Sequence, residues 1–123
     1  MALCESAWLT WLVMFIRKSD VSPIGFDGLL IHDYTEAMNV ALSVATISVP
    51  PAGGHAEAYS KRSDKYYVVV DGEIEFSLEG RRASLGSGDF CFVARGSRFE
   101  YRNTGPQAAT LVVVHAPRFS LES

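Results

Sequence analysis

The feature that most narrows what this chain can become is a pair of β-rich runs joined by Asp71-Gly72. Residues 65–70 are nearly all apolar, and residues 73–78 alternate apolar with polar side chains. A two-residue turn between such runs needs a positive φ, which glycine adopts at no steric cost, so Asp-Gly marks a hairpin. The alternation turns Ile74, Phe76 and Leu78 toward a core and Glu73 and Glu75 toward water.

The same pattern recurs along the chain. Pro23 and Gly25 make residues 21–27 a loop or an irregular edge strand. Residues 28–34 read as a strand, and residues 35–39 as a polar connection with room for one helical turn. A long β-branched run, residues 40–49, stops at Pro50-Pro51, which cannot continue a ladder. Further strands fall at residues 55–60, 82–85, 90–93, 99–102 and 110–115, each bounded by Gly, Pro, Asp or Asn. No helix-period stretch follows residue 40, which excludes a doubly wound α/β fold. Short strands with regularly spaced turns indicate an all-β sandwich or barrel.

At 123 residues the chain suits one domain with one core. A net charge of -3 argues against nucleic acid as the main partner, since phosphate binding needs a basic surface. Cys4 and Cys91 have no framework spacing and read as reduced thiols in a cytoplasmic protein. Residues 1–20 form an apolar extension and residues 21–123 the main domain. The apolar run at residues 7–16, followed by Arg17 and Lys18, is too short to span a bilayer. It also lacks the basic start and cleavage site of a secretory signal. It covers an edge or a partner subunit, or lies on a membrane surface, or precedes a natural start at Met14. Trp8 and Trp11 would be adhesive if bare, which favours a subunit contact.

Residues 54–103 resemble the two-part signature of the cupin superfamily. Gly72 matches the hairpin glycine of the first motif. Gly88-Asp89 opens the second, Gly96 matches its internal glycine and Asn103 its closing asparagine, while Ala94 stands where proline is usual. The resemblance implies a single cupin-like double-stranded β-helix, a jelly-roll barrel, and, as in many small cupins, a homodimer. The family's metal ligands are replaced. Counting back from Gly72, the glutamate position falls at Lys65 and the two histidines at Ala58 and Ser60; the second-motif histidine falls at Phe99. A divalent ion needs three or four His, Asp, Glu or Cys donors. The resemblance therefore implies a barrel without the ordinary mononuclear metal site and without another cofactor. The alternative is a displaced site built from His55 and Glu57 with Asp64. Such an odd shift turns side chains to the other face unless a bulge intervenes, so the plainer reading leaves His55 and Glu57 at a turn or on the outer face.

With Lys65 and Phe99 inward, strand alternation adds Tyr67, Tyr101 and Asn103 to the interior. The expected catalytic residues are Lys65, Tyr67, Tyr101 and His115; Ser60, Cys91, Phe99 and Asn103 are expected to bind ligand. Each has a structural alternative. The Lys65 stem can snorkel toward Asp64 or Glu57, the tyrosines can be core, Cys91 can be an inert packed thiol, and His115 can be a satisfied structural histidine. The expected function is a small-molecule-binding cupin acting as a metal-independent isomerase, cyclase or lyase. The competing readings are a non-catalytic ligand-binding or interaction module and a metalloenzyme using His55 and Glu57.

Overall fold

The computed structural model describes residues 14–120, so most of the apolar extension, with Trp8 and Trp11, lies outside the described residues. Among the described residues, ten strands pack as two antiparallel sheets. The larger sheet runs β1 (Ile24–Phe26), β2 (Leu29–Asp33), β3 (Ser43–Val49), β10 (Ala109–Ala116), β5 (Asp64–Asp71) and β8 (Phe90–Val93). The smaller one runs β4 (Gly54–Tyr59), β9 (Arg98–Arg102), β6 (Ile74–Leu78) and β7 (Arg81–Leu85). Among the described residues the only helical piece is a 3-10 turn at Lys18–Asp20. The fold is all-β, as strand spacing and turn chemistry predict, and takes the jelly-roll form that the cupin resemblance implies.

Period-2 alternation sorts each central strand into an inner and an outer row. In β3, Ser43, Ala45, Ile47 and Val49 are buried; in β5, Lys65, Tyr67 and Val69; in β10, Ala109, Leu111 and Val113. The registers Lys65↔His115↔Ser43 and Tyr67↔Val113↔Ala45 stack these rows across the sheet. The hairpin at Asp71-Gly72 forms as read. Gly72 has φ +84, and a Cβ there would lie 2.7 Å from the Ala109 Cβ, so glycine is required by conformation and by space.

Two boundaries differ from the sequence reading. β3 begins at Ser43 rather than at residue 40, because the Arg118 guanidinium donates to the carbonyls of Met38, Val40 and Thr35 and the Arg118 amide to Ala41. These carbonyls serve the chain's last described segment instead of a ladder. Residues 35–39 form turns rather than a helix, with one Met38 N–H to Thr35 C=O bond of 3.0 Å.

The outer row of β5 and β8 is apolar. Tyr66, Val68, Val70, Phe90 and Phe92 are all exposed, and the Tyr66 and Phe92 rings sit 5.1 Å apart.

Candidate functional site

The inner rows change character along the barrel. At one end Val49, Val69, Ile74 and Leu111 are fully buried against one another. Toward the other end the rows carry polar groups and the sheets part around a cavity of about 460 Å³. Leu29, Ala45, Ile47 and Val113 give it apolar walls; Lys65, Asp33, His115, Tyr67, Tyr101 and His55 supply the polar groups.

Lys65 is 6% exposed, and its Nζ lies 5.7 Å from the Phe99 ring centroid. The amine is held within the barrel instead of snorkelling outward. The Oδ1 of the neighbouring Asp64 accepts the Arg95 N–H at 2.8 Å. Burial disfavours the ammonium and lowers the Lys65 pKa to about 8.

His115 is the cross-strand neighbour of Lys65. Burial and then the Lys65 charge lower its pKa to about 4, with Asp33 opposing. The imidazole is therefore neutral at pH 7, and Phe119 packs edge-on against it at 5.4 Å. Asp33 reaches the cavity from β2, opposite Ala45. Its Oδ1 accepts the Thr35 N–H at 2.9 Å and the Thr35 hydroxyl at 2.7 Å, which fixes the carboxylate's orientation. Tyr67 and Tyr101 face each other at 5.5 Å. Burial raises both phenols, and for Tyr67 the neighbouring Tyr101 and Cys91 raise it further. Both hydroxyls stay protonated at neutral pH and can donate to a substrate oxygen.

His55 corrects one expectation. It is neither in a turn nor on the outer face but in the cavity wall, 4.9 Å from the Phe99 ring and 5.9 Å from Phe26. The cause is a bulge. β4 pairs His55 with Tyr101 and Ala58 with Phe99, leaving two residues, Ala56 and Glu57, opposite the single Glu100, so both His55 and Ala58 face inward. The carbonyl of Ala56 can only accept, so the 2.7 Å contact makes His55 Nδ1 the donor and leaves Nε2 as an acceptor when the ring is neutral. Glu57 takes the outward turn of the bulge and is exposed. His55, Glu57 and Asp64 therefore do not converge. Among the described residues no group of three His, Cys, Asp or Glu side chains is placed to hold a metal ion.

Of the expected residues, Lys65, Tyr67, Phe99, Tyr101 and His115 line this one cavity. Ser60, Cys91 and Asn103 are buried but lie elsewhere. The Ser60 hydroxyl donates to the Ser63 carbonyl and closes a loop. Cys91 pairs with Tyr67 in register and packs in the core, where burial pushes its thiol up to about 11. Asn103 clamps the turn after β9: its Nδ2 donates to the carbonyls of Val49 at 3.0 Å and Gln107 at 2.7 Å, and its Oδ1 accepts from Gly105 at 2.9 Å. Sequence reasoning missed Asp33, which shares the inner row of β2 with Leu29 and Ile31. Parity along β2 groups Asp33 with Leu29 and Ile31, but only the pairing of β2 with β3 turns that row to the cavity.

A small jelly-roll barrel with a polar-lipped apolar cavity is the architecture of a cupin, and the family's cupin domain model matches residues 45–115. The chain belongs to that family. Among curated proteins it is 31% identical over 109 residues to the endoribonuclease YbeY of Myxococcus xanthus, covering 87% of this chain and 37% of that one. It is 38% identical over 72 residues to the beta-D-galactosidase Rv1717 of Mycobacterium tuberculosis, covering 58% of this chain and 62% of that one. The chain thus spans less than two thirds of the length of either relative. Among solved structures, Streptomyces Pac13 with uridine superposes with a TM-score of 0.75 at 21% identity, covering 89% of this chain and 87% of that one. Pac13 is described as a nucleoside dehydratase. The three relatives carry three different activities, so likeness to them assigns no reaction to this chain.

Proposed function

We propose that this protein acts on a small organic molecule by proton transfer, as an isomerase, cyclase or lyase, without a metal at the usual cupin position. The observation that carries this reading is the convergence of the Lys65 amine, the neutral His115 imidazole and two protonated phenols on one apolar-walled cavity. With a pKa of about 8, roughly a tenth of the Lys65 amines are neutral at pH 7 and can take a proton from a substrate carbon or hydroxyl. A Tyr67 or Tyr101 hydroxyl would then donate to the oxygen on which negative charge develops. Loss of a leaving group gives a lyase; return of the proton to another face or carbon gives an isomerase. Pac13, which shares the barrel, removes water from a nucleoside, and this makes elimination the first reaction to try.

The test is proton NMR in D₂O with nucleosides, uronates and 2-keto acids as probes. Deuterium exchange or elimination on one of them, reduced about 100-fold or more in Lys65→Met, is the expected result. Binding without exchange or elimination would reassign the protein to the second reading, a non-catalytic ligand-binding cupin, which the apolar walls of the cavity favour.

We further propose that the protein works as a homodimer in the cytoplasm. The two cysteines without disulfide spacing support a reducing compartment. The apolar outer row of Tyr66, Val68, Val70, Phe90 and Phe92 carries no charge, so it complements a second copy of itself across a two-fold axis. Sedimentation at about 50 μM should give a dimer that Phe92→Lys dissociates. A wild-type monomer at that concentration would overturn the assignment.

A further inference from the structure

We infer that Lys65 is a covalent anchor, condensing through its Nζ with the carbonyl carbon of an aldehyde or ketone that carries an apolar or flat body. The inference deepens the proton-transfer reading and rests on it.

Its basis is geometric. Lys65 projects from the inner row of β5 into a cavity of about 460 Å³, at 6% exposure, with Nζ over the Phe99 ring. The wall formed by Phe26, His55 and Phe99 is a tilted aromatic stack, with centroids 5.9 and 4.9 Å apart. Flat or unsaturated carbonyl compounds fit against such a surface, with the reactive carbon toward the amine. The polar groups that share the cavity with Lys65 come from several strands: His115 from β10, Asp33 from β2, Tyr67 from β5, Tyr101 from β9 and His55 from β4. The neutral imidazole of His115 lies directly across the ladder from Lys65. It can carry a proton between nitrogen and oxygen, which condensation requires.

The step balances without any other reagent. The Nζ lone pair attacks the carbonyl carbon, and the carbonyl π pair goes to oxygen, where a Tyr67 or Tyr101 hydroxyl donates to it. Both amine protons reach that oxygen, relayed by His115. The C–O bond breaks, water leaves, and a C=N bond remains. The imine nitrogen, once protonated, draws electrons through the C=N carbon and acidifies a C–H bond on the carbon next to it; with the Lys65 Nζ held in the imine, the neutral His115 imidazole takes that proton in place of the free amine. An apolar cavity suits this chemistry because it lowers the cost of losing the ammonium charge and restrains water from reversing the imine. The lowered pKa adds to this: at pH 7 the neutral fraction of Lys65 is about 300 times that of an ordinary lysine.

The experiment is reductive trapping of the full-length protein with cinnamaldehyde and phenylpyruvate, using cyanoborohydride at pH 7, read by intact mass and peptide mapping. The hydride goes to the imine carbon and leaves a stable secondary amine. One adduct per chain is expected, on Lys65, formed at least tenfold faster than on Lys18 or Lys61. Its rate should rise with pH to a midpoint near 8. Lys65→Arg should abolish this adduct while keeping a cation in place. Labelling of Lys65 no faster than of Lys18 and Lys61 would overturn the inference.

Cinnamyl alcohol, which cannot form an imine, separates this failure from failure of the broader reading. If the alcohol binds in the cavity but Lys65 is not trapped by the aldehyde, the small-molecule site stands and the covalent anchor falls. If neither compound binds and no adduct forms, both fall.

Discussion

The two ends of the barrel are built from the same strands and serve opposite purposes. At the closed end the inner rows of β3, β5 and β10 present Val49, Val69 and Leu111, packed against Ile74 and Phe76 at 2% exposure or less. Four to six residues further along, the same rows present Ser43, Lys65 and His115. One end removes apolar surface from water and supplies stability. The other holds an amine and an imidazole away from water, and both are pushed toward their neutral forms. A strand that alternates correctly can thus support the fold with one part of its inner row and spend that stability with another, which locates chemistry by its energetic cost.

Three measurements would break or sharpen this contrast. The largest effect belongs to the closed end, where Leu111→Ala should destabilise the protein by about 4 kcal/mol in urea unfolding, because a fully buried site cannot collapse around the lost atoms. A loss below about 1 kcal/mol would mean that the closed end is not the stabilising one.

Lys65→Met should act in the opposite direction. The folded amine titrates near 8 and the unfolded one near 10.5, so between these values the unfolded chain binds more protons and wild-type stability rises with pH. Below pH 8 the whole penalty is present. The variant should be more stable than wild type by about 3 kcal/mol at pH 7, with the gap closing between pH 8 and 10.5. Equal stabilities at pH 7 would remove the energetic distinction between the ends.

The smallest effect is at His115. Its folded value near 4 lies below the ordinary 6.5, so the unfolded chain binds the extra proton and stability is lost as pH falls from 6.5 through 4. At pH 5 the loss should be about 2 kcal/mol, and His115→Gln should flatten the unfolding midpoint across that window. Because the Lys65 charge contributes to the shift, Lys65→Met should also weaken the His115 dependence. An unchanged slope in both variants would contradict the proximity of the two groups.

Much of this contrast was legible in the chain itself. The Asp71-Gly72 hairpin and the alternation around it define which side of β5 and β6 is inward, and the family pattern puts Lys65 and Phe99 on that side. What escaped are features that depend on partners. Asp33 joins the cavity only because β2 pairs with β3 in the register Asp33↔Ala45, and no short-range pattern specifies which strands become neighbours. Ser60, Cys91 and Asn103 carry ligand-type side chains at inward or motif positions, yet their roles are decided by what surrounds them. Asn103 meets three main-chain groups and Cys91 meets Tyr67, so the first is a clamp and the second is packing. His55 was misplaced because alternation assumes an unbroken ladder.

That ladder defect in β4 has a consequence for how freely the chain can change length. Ala56 and Glu57 both point to solvent between two inward neighbours, so the segment holds one residue beyond what even parity requires. Deleting either of them would leave His55 and Ala58 on the interior side, whereas deleting a residue from a regular stretch of the strand would eject an interior group. The rim of the cup can therefore shorten at one point without losing its imidazole, and a change of length there would alter the opening while sparing the lining.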